Sequence, residues 1–444
     1  MSEKFNMAQN EGTKKIQFYF LSLSMLLQFS LLGLLNPYIA IFFRKEGLPF
    51  SILFLIFFAN YIGNLFQPVW GILSDKFDQR KIFLIISTFI WVIALIVIRL
   101  FPEFLIFVIF FGIASLFGSA SQPVSRSLIS LLASKEEETE YQSKFGVLLT
   151  TAFSISSWAG GLIISTFSFD VLFSLTAFLS ILSFIFIFTV KEHHLNHKSS
   201  KINDDEEIVK PIPPKKDVNY RERASQLIRN RYYLLIIFCS GMGGFAFYFF
   251  LNFFSVFYVE SGGRLPYYSW ALVISFILFM ICNYLGELIM KRKTKSDSNK
   301  QKNISKIKFN HINEEISMHL GFSEKLKAIF IFWSILGFCF LCFLLVLYPI
   351  VPLFMILIIY SLPIVPFFFT SMLALTTRLV KPEQKALAVG IQGVLVFGGR
   401  SLAVFLGSQV LDWGGFNMAP FIDIFLLGAL FIMVFYSLKK INII

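Results

Sequence analysis

Charge is scarce in this sequence. Of its 444 residues only 15% are Asp, Glu, Lys or Arg, against about a quarter in a soluble domain, which excludes a chain wrapped around one water-solvated core. Cysteine is scarcer still. Cys239, Cys282, Cys339 and Cys342 all lie in apolar runs, where thiols behave as small buried hydrophobes, and neither a disulfide framework nor a metal site is expected. The five histidines, from His193 to His319, fall in polar loops, so no intramembrane histidine relay is available. No glycine-rich loop precedes a Lys-Ser or Lys-Thr pair, so the chain offers no ATP drive of its own. With no histidine cluster or carboxylate pair inside an apolar run, an enzyme is not expected, nor is a cofactor.

Apolar residues are plentiful, at 56% of the chain, and 57 phenylalanines help bring the aromatic share to 18%. Runs of roughly 20 apolar residues, enough to cross a bilayer, recur along the whole length. They predict spans at 16–43, 51–73, 82–100, 104–128, 144–167 and 171–190, then 232–259, 266–290, 326–347, 350–378, 386–411 and 417–438. The fold class expected is an all-α integral membrane protein of twelve helices, with six in residues 1–190 and six in 232–444. Residues 191–231, with KEHHLNHKSSK and PIPPKK, have a linker's composition. Their end, YRERASQLIRNRYY, predicts a basic amphipathic helix lying on the membrane surface. A second polar insertion, 291–325, carries KRKTKSDSNKQKNISKIK and reads either as a solvated basic anchor or as a regulatory or lipid-binding segment.

The net charge of +12 does not point to nucleic acid, because no aromatic residues interleave with the charges as stacking platforms. Its distribution is more informative. With these spans the outer loops hold Arg44, Lys45, Arg99 and Arg264, and nearly all the other Lys and Arg fall on the opposite side. By the positive-inside rule both termini are then cytoplasmic, in a multi-pass protein of the plasma membrane. The first apolar run is too long for a signal-peptide core, so the N-terminus is expected to stay on the chain.

The two halves echo each other. The stretch SQPVSRSLISLLASKEEETEYQSKFGVLL leaves span 4 much as FFFTSMLALTTRLVKPEQKALAVGI leaves span 10, each with an arginine, a short charged turn and a fresh apolar run. Between spans 2 and 3 stands PVWGILSDKFDQRK, residues 68–81. This resembles the loop 2-3 signature of the major facilitator superfamily, G-x-L-x-D-R-x-G-R-R-K, with Gly71, Leu73, Asp75, Lys76, Arg80 and Lys81 on matching positions. Asp78 and Gln79 depart from it. With the six-plus-six layout, the resemblance extends over nearly the whole chain and implies a secondary transporter, working as a monomer by alternating access on a small-molecule solute in the lipid bilayer.

The resemblance further implies that Gly71, Asp75, Arg80 and Lys81 form a latch on the cytoplasmic side. Glu287, in the fainter counterpart NYLGELIMKRK, is either a latch acid or an interfacial charge. A proton gradient is the energy source the resemblance implies, with Asp75, Glu287 and Asp423 as the acids near or within spans. An uncoupled facilitator, and a receptor or scaffold that has lost transport, are the alternatives.

An intramembrane charge costs about 2.5–3.5 kcal/mol on insertion scales and so marks a functional site by default. Within VLVFGGRSLAVFLG, residues 394–407, Arg400 lies about fourteen residues into its span, or roughly 21 Å at 1.5 Å per residue, near the midplane. It either faces the solute, whose matching group would be a carboxylate or phosphate, or pairs with Asp423 at similar depth. Gln28, Asn36, Asn252 and Gln392 are further candidates to bind the solute. Asn60, Asn64, Gln67, Gln122 and Asn283 are softer candidates, and any of these amides can instead hold helices together; Gln28, Asn36 and Asn252 rank higher because the resemblance implies a site built by helices 1, 7 and 10. Pro37, Pro363 and Pro366 are expected to open backbone bonds in helices 1 and 10.

Overall fold

The computed structural model describes residues 2–77, 79–132, 138–190, 220–278, 280–281, 322–347, 350–380 and 384–441, and no strand occurs among them. Glu287, Asn283, residues 191–219 of the linker and residues 291–321 of the second polar insertion lie outside the described residues. The first helices are α1 (Ser2–Leu35), α2 (Ile39–Lys45), α3 (Phe50–Asn64), α4 (Gln67–Phe77), α5 (Arg80–Leu100), α6 (Phe104–Gly118), α7 (Ser121–Leu132), α8 (Glu138–Thr166) and α9 (Phe169–Thr189). After them come α10 (Tyr220–Arg229), α11 (Arg231–Leu251), α12 (Phe254–Glu260) and α13 (Leu265–Leu278). The last three are α14 (Phe322–Leu347), α15 (Val351–Arg378) and α16 (Lys385–Lys440). Among the described residues nine helical segments are long and apolar enough to cross a membrane, and each coincides with a predicted span.

Several spans are broken near mid-depth, and the sequence explains where. Between α1 and α2 stands Pro37, which has no N–H and disfavours helix at the residue before it. The α3/α4 and α6/α7 breaks fall just ahead of Pro68 and Pro123, which occupy first-turn positions where a missing N–H costs nothing. The α11/α12 break has no proline. There the Asn252 side-chain Nδ2 donates to the Tyr248 carbonyl at 2.5 Å, taking an acceptor that the helix ladder would use. By contrast α15 runs without a break through Pro363 and Pro366; each proline lacks the N–H that would reach the carbonyl four residues back, and within a bundle neighbouring groups can satisfy the freed carbonyls. At Gly415, φ is +65°, a conformation open to glycine, and the chain turns there between two arms of α16.

The apolar core explains the shape. One cluster joins both sets of helices, holding Tyr38, Ile41, Phe50 and Phe107 together with Phe253, Phe257, Phe338 and Leu411. Toward the end of the bundle that carries the chain termini it gives way to two separate clusters. One, with Phe18, Leu84, Val124 and Phe145, belongs to α1–α9, and the other, with Leu227, Tyr233, Val380 and Ala388, to α10–α16. The bundle is therefore fused at its distal end and parted at its terminal end. Leu227 is 1% exposed, so α10 docks into the second cluster rather than only resting on a membrane surface as expected. Large apolar side chains such as Phe89, Ile93, Phe178, Ile185 and Ile432 line the outside, where a bilayer solvates them.

Candidate functional site

Where the two sets of helices part, they enclose a cavity of about 480 Å³. Its walls are built at the helix breaks. Gln28 and Asn36 come from α1 and its end, Asn60, Asn64 and Gln67 from α3 and α4, Ser115, Ser119 and Gln122 from α6 and α7, and Tyr248 and Arg400 from the other half. The breaks thus deliver amides and hydroxyls to mid-depth. A second cavity of about 630 Å³ shares Asn64, Gln67, Phe397 and Arg400 with the first and continues along Gly71, Ile72, Leu387 and Gln392 toward the terminal end.

Arg400 is the one charged side chain among the described residues lining either cavity. Its guanidinium carbon lies 3.9 Å from the Tyr248 ring centroid and 5.1 Å from those of Phe369 and Phe397. Each such contact contributes about 0.5–2 kcal/mol, which eases the charge into the bundle without neutralising it. Nε has no hydrogen-bond partner, and Arg400 makes no ion pair with Asp423. Asp423 is fully buried against α14, where Cys342 Sγ donates to its Oδ2 at 3.6 Å and Oδ1 is left without a partner.

The position of Arg400 is fixed by the residue before it. A Cβ on Gly399 would lie 2.2 Å from the Gly241 carbonyl oxygen of α11, so the two backbones touch there. Gly399→Val is accordingly expected to push α11 and α16 apart, at the 1–3 kcal/mol typical of overpacking, and to lower the melting temperature of the purified protein. An unchanged melting temperature would show that the contact can relax. Gly398, by contrast, faces open space.

The other expected site residues divide. Gln28 is 2% exposed, lines the cavity and has neither side-chain polar atom bonded; a buried amide in that state costs about 1–3 kcal/mol, which a polar solute or water would offset. Asn36 also lines the cavity. Gln392 faces the second cavity and donates to Ser240 Oγ at 2.8 Å, with its Oε1 unbonded. Asn252, expected at the solute, stands behind the wall instead. Its Oδ1 accepts from Tyr61 Oη and its Nδ2 holds Tyr248, so the amide is occupied in joining α3 to α11. The lower-ranked Asn60, Asn64, Gln67 and Gln122 all line the cavity. Tyr61 and Tyr248 carry no sequence signal of their own, since nothing in a run of aromatic residues marks which of them faces inward.

At the terminal end Gly71 lines the second cavity, while the Asp75 side chain lies outside the described residues. Arg80 Nε donates to Ser127 Oγ at 2.7 Å and Lys81 Nζ to the Phe188 carbonyl at 2.9 Å, which ties the start of α5 to α7 and α9. At the distal end the two sets of helices are clasped. Arg44 Nε meets Glu260 Oε1 at 2.6 Å. Asp412 accepts from the Phe50 and Ser51 amides at 2.9 and 2.7 Å, and Tyr38 Oη bonds the Ser157 carbonyl and Ser269 Oγ. Phe50 and Phe57 stack edge-on against Phe253.

Fold and site together define a multi-pass membrane protein built of two helix sets around a polar cavity that is closed at one end. The chain belongs to the major facilitator superfamily, whose family model matches residues 18–301. It is similar to an MFS-type transporter of Methanocaldococcus jannaschii, with 25% identity over 177 residues, 40% of this chain and 46% of that one. It is also similar to a transporter of Buchnera aphidicola subsp. Schizaphis graminum, with 28% identity over 279 residues, 62% of this chain and 65% of that one. The chain thus spans less than two thirds of the length of these curated relatives. Among solved structures it resembles the nucleoside transporter NupG, with a TM-score of 0.69 and 14% identity over 95% of this chain and 98% of that one. It also resembles the POT family transporter PepTSo, with a TM-score of 0.67 and 10% identity over 95% and 97%. At these identities the likeness concerns the fold.

Proposed function

We propose that the chain is a secondary transporter that carries a small organic anion by alternating access, with its termini in the cytoplasm and its cavity open to that side. The observation that carries this reading is Arg400, a cation at a polar cavity with no carboxylate partner among the described residues. A planar guanidinium suits a carboxylate or phosphate, and the volume falls in the range of about 300–1,000 Å³ typical of small-molecule sites. Gln28, Asn36 and Gln392 supply neutral polar contacts to the rest of the solute. In the opposite state Gly71, Asp75, Arg80 and Lys81 close the cytoplasmic side, with Glu287 as the matching acid, and twelve spans move as two halves of residues 1–190 and 232–444, within one monomer.

Two energy sources are distinguished by experiment. Family resemblance favours proton coupling, whereas the lack of an acid among the described cavity residues favours a solute running down its own gradient. Proteoliposomes holding the full chain are expected to take up at least one of a panel of carboxylates and phosphate esters saturably, and an imposed pH jump accelerates that uptake only if protons are coupled. Flux never exceeding that of empty vesicles across the panel would favour a receptor or scaffold with this fold.

A further inference from the structure

Ser115, Ser119 and Gln122 line the cavity from one stripe of the α6–α7 span. Their spacing of four and then three residues keeps side chains on one helix face, and the next position on that stripe, four residues on, is Arg126. It is exposed and sits six residues from the terminal end of α7 at Leu132. Arg400 is fifteen residues from the terminal end of α16 at Lys385. At 1.5 Å per residue Arg126 is therefore roughly 14 Å nearer the terminal face.

Arg126 is held by one neutral side chain among the described residues. Its side chain reaches Gln142 Oε1 at 3.4 Å, and no carboxylate pairs with it among the described residues. Gln142 is in turn oriented by donating to the Arg126 carbonyl and Ser130 Oγ at 2.8 and 3.2 Å. One turn beyond Gln142 on α8, Gly146 faces open space, and Phe153, seven residues further along, lines the cavity. A cation and an amide thus stand together where α7 meets α8.

We propose that Arg126 is a second anion-holding station on the route between Arg400 and the terminal face. This inference rests on the anion-transport reading above and extends it: a carboxylate or phosphate released by Arg400 passes the Gln122 amide and is held by Arg126 before leaving. Two separated cations, neither with a carboxylate partner among the described residues, let an anion step from one shallow well to the next, whereas a single deep site would hold it.

The test needs no knowledge of the solute. A cysteine placed by Gln122→Cys in the full-length chain is reacted with an anionic sulfonatoethyl methanethiosulfonate and with its cationic trimethylammonium analogue, the unsubstituted chain serving as the blank. The anionic reagent is expected to react faster, and Arg126→Gln to cut the anion-to-cation rate ratio about fivefold, as removing one charge at close range in a partly hydrated site should. Arg126→Lys is expected to restore most of the ratio, which a purely structural role would not do. A ratio unmoved by Arg126→Gln in a protein that still elutes as a single species overturns the station. If Arg126→Gln abolishes the preference while the full chain takes up no anion above empty vesicles, the station stands and the transport reading fails.

Discussion

Replacing Arg400 by glutamine is expected to remove saturable anion uptake while leaving the protein folded. A charge-assisted hydrogen bond contributes about 1.5–3 kcal/mol, so losing it should raise KM by roughly 10- to 150-fold, at about 1.4 kcal/mol per tenfold. The fold should tolerate the change because Arg400 makes ring contacts and no ion pair among the described residues, so no described acid is stranded by its removal. Arg400→Lys should recover part of the uptake, since it restores the charge but not the two-pronged geometry. Asp423→Asn added to Arg400→Gln should rescue nothing, because Asp423 is held against Cys342. Normal uptake by the double variant would return Arg400 to a structural role and sink the anion reading.

The helical spans were legible because a bilayer demands long apolar runs whatever packs between them, and the described long helices fall on those runs. Arg400, Gln28 and Asn36 could be picked from sequence for the complementary reason. Charge and amides are conspicuous where hydrocarbon is expected, and all three line the cavity. Asn252 shows the limit of that signal: an amide at mid-depth can serve the backbone, and here it both breaks α11 and anchors Tyr61. Asp412 could not be found at all, because its partners are amides about 360 residues away in sequence. Such contacts depend on how two halves meet, which local periodicity does not encode. The same holds for Tyr248, one of many aromatics, which matters because Arg400 lies on its face.

Asp412→Ala is expected to open the distal end. The α3 helix begins at Phe50, and its first free amides carry partial positive charge; Asp412, from α16, grips two of them with one carboxylate. This clasp crosses between the two helix sets, so it exists only while the distal end is shut. Because Asp412 is exposed, solvent screening reduces each bond, and about 1–2 kcal/mol for the pair is a fair magnitude, a factor of roughly 5–30 in the open-to-shut ratio. The neighbouring Arg44–Glu260 bridge, about 30% exposed on each side, contributes about 0–1 kcal/mol and should matter less. The measurement is the rate at which a membrane-impermeant thiol reagent, added from the distal side, modifies a cysteine placed by Asn36→Cys on the cavity wall. Asp412→Ala should raise that rate by the same factor, Arg44→Ala by a few-fold at most, and Asp412→Asn, which keeps one acceptor, by an intermediate amount. The transport rate should not rise in proportion, since a carrier biased toward either state is slowed on the return step. If the rate is unchanged in the Asp412→Ala variant, the aromatic seal of Phe50, Phe57 and Phe253 holds the distal end by itself, and the carboxylate is a helix cap with no part in gating.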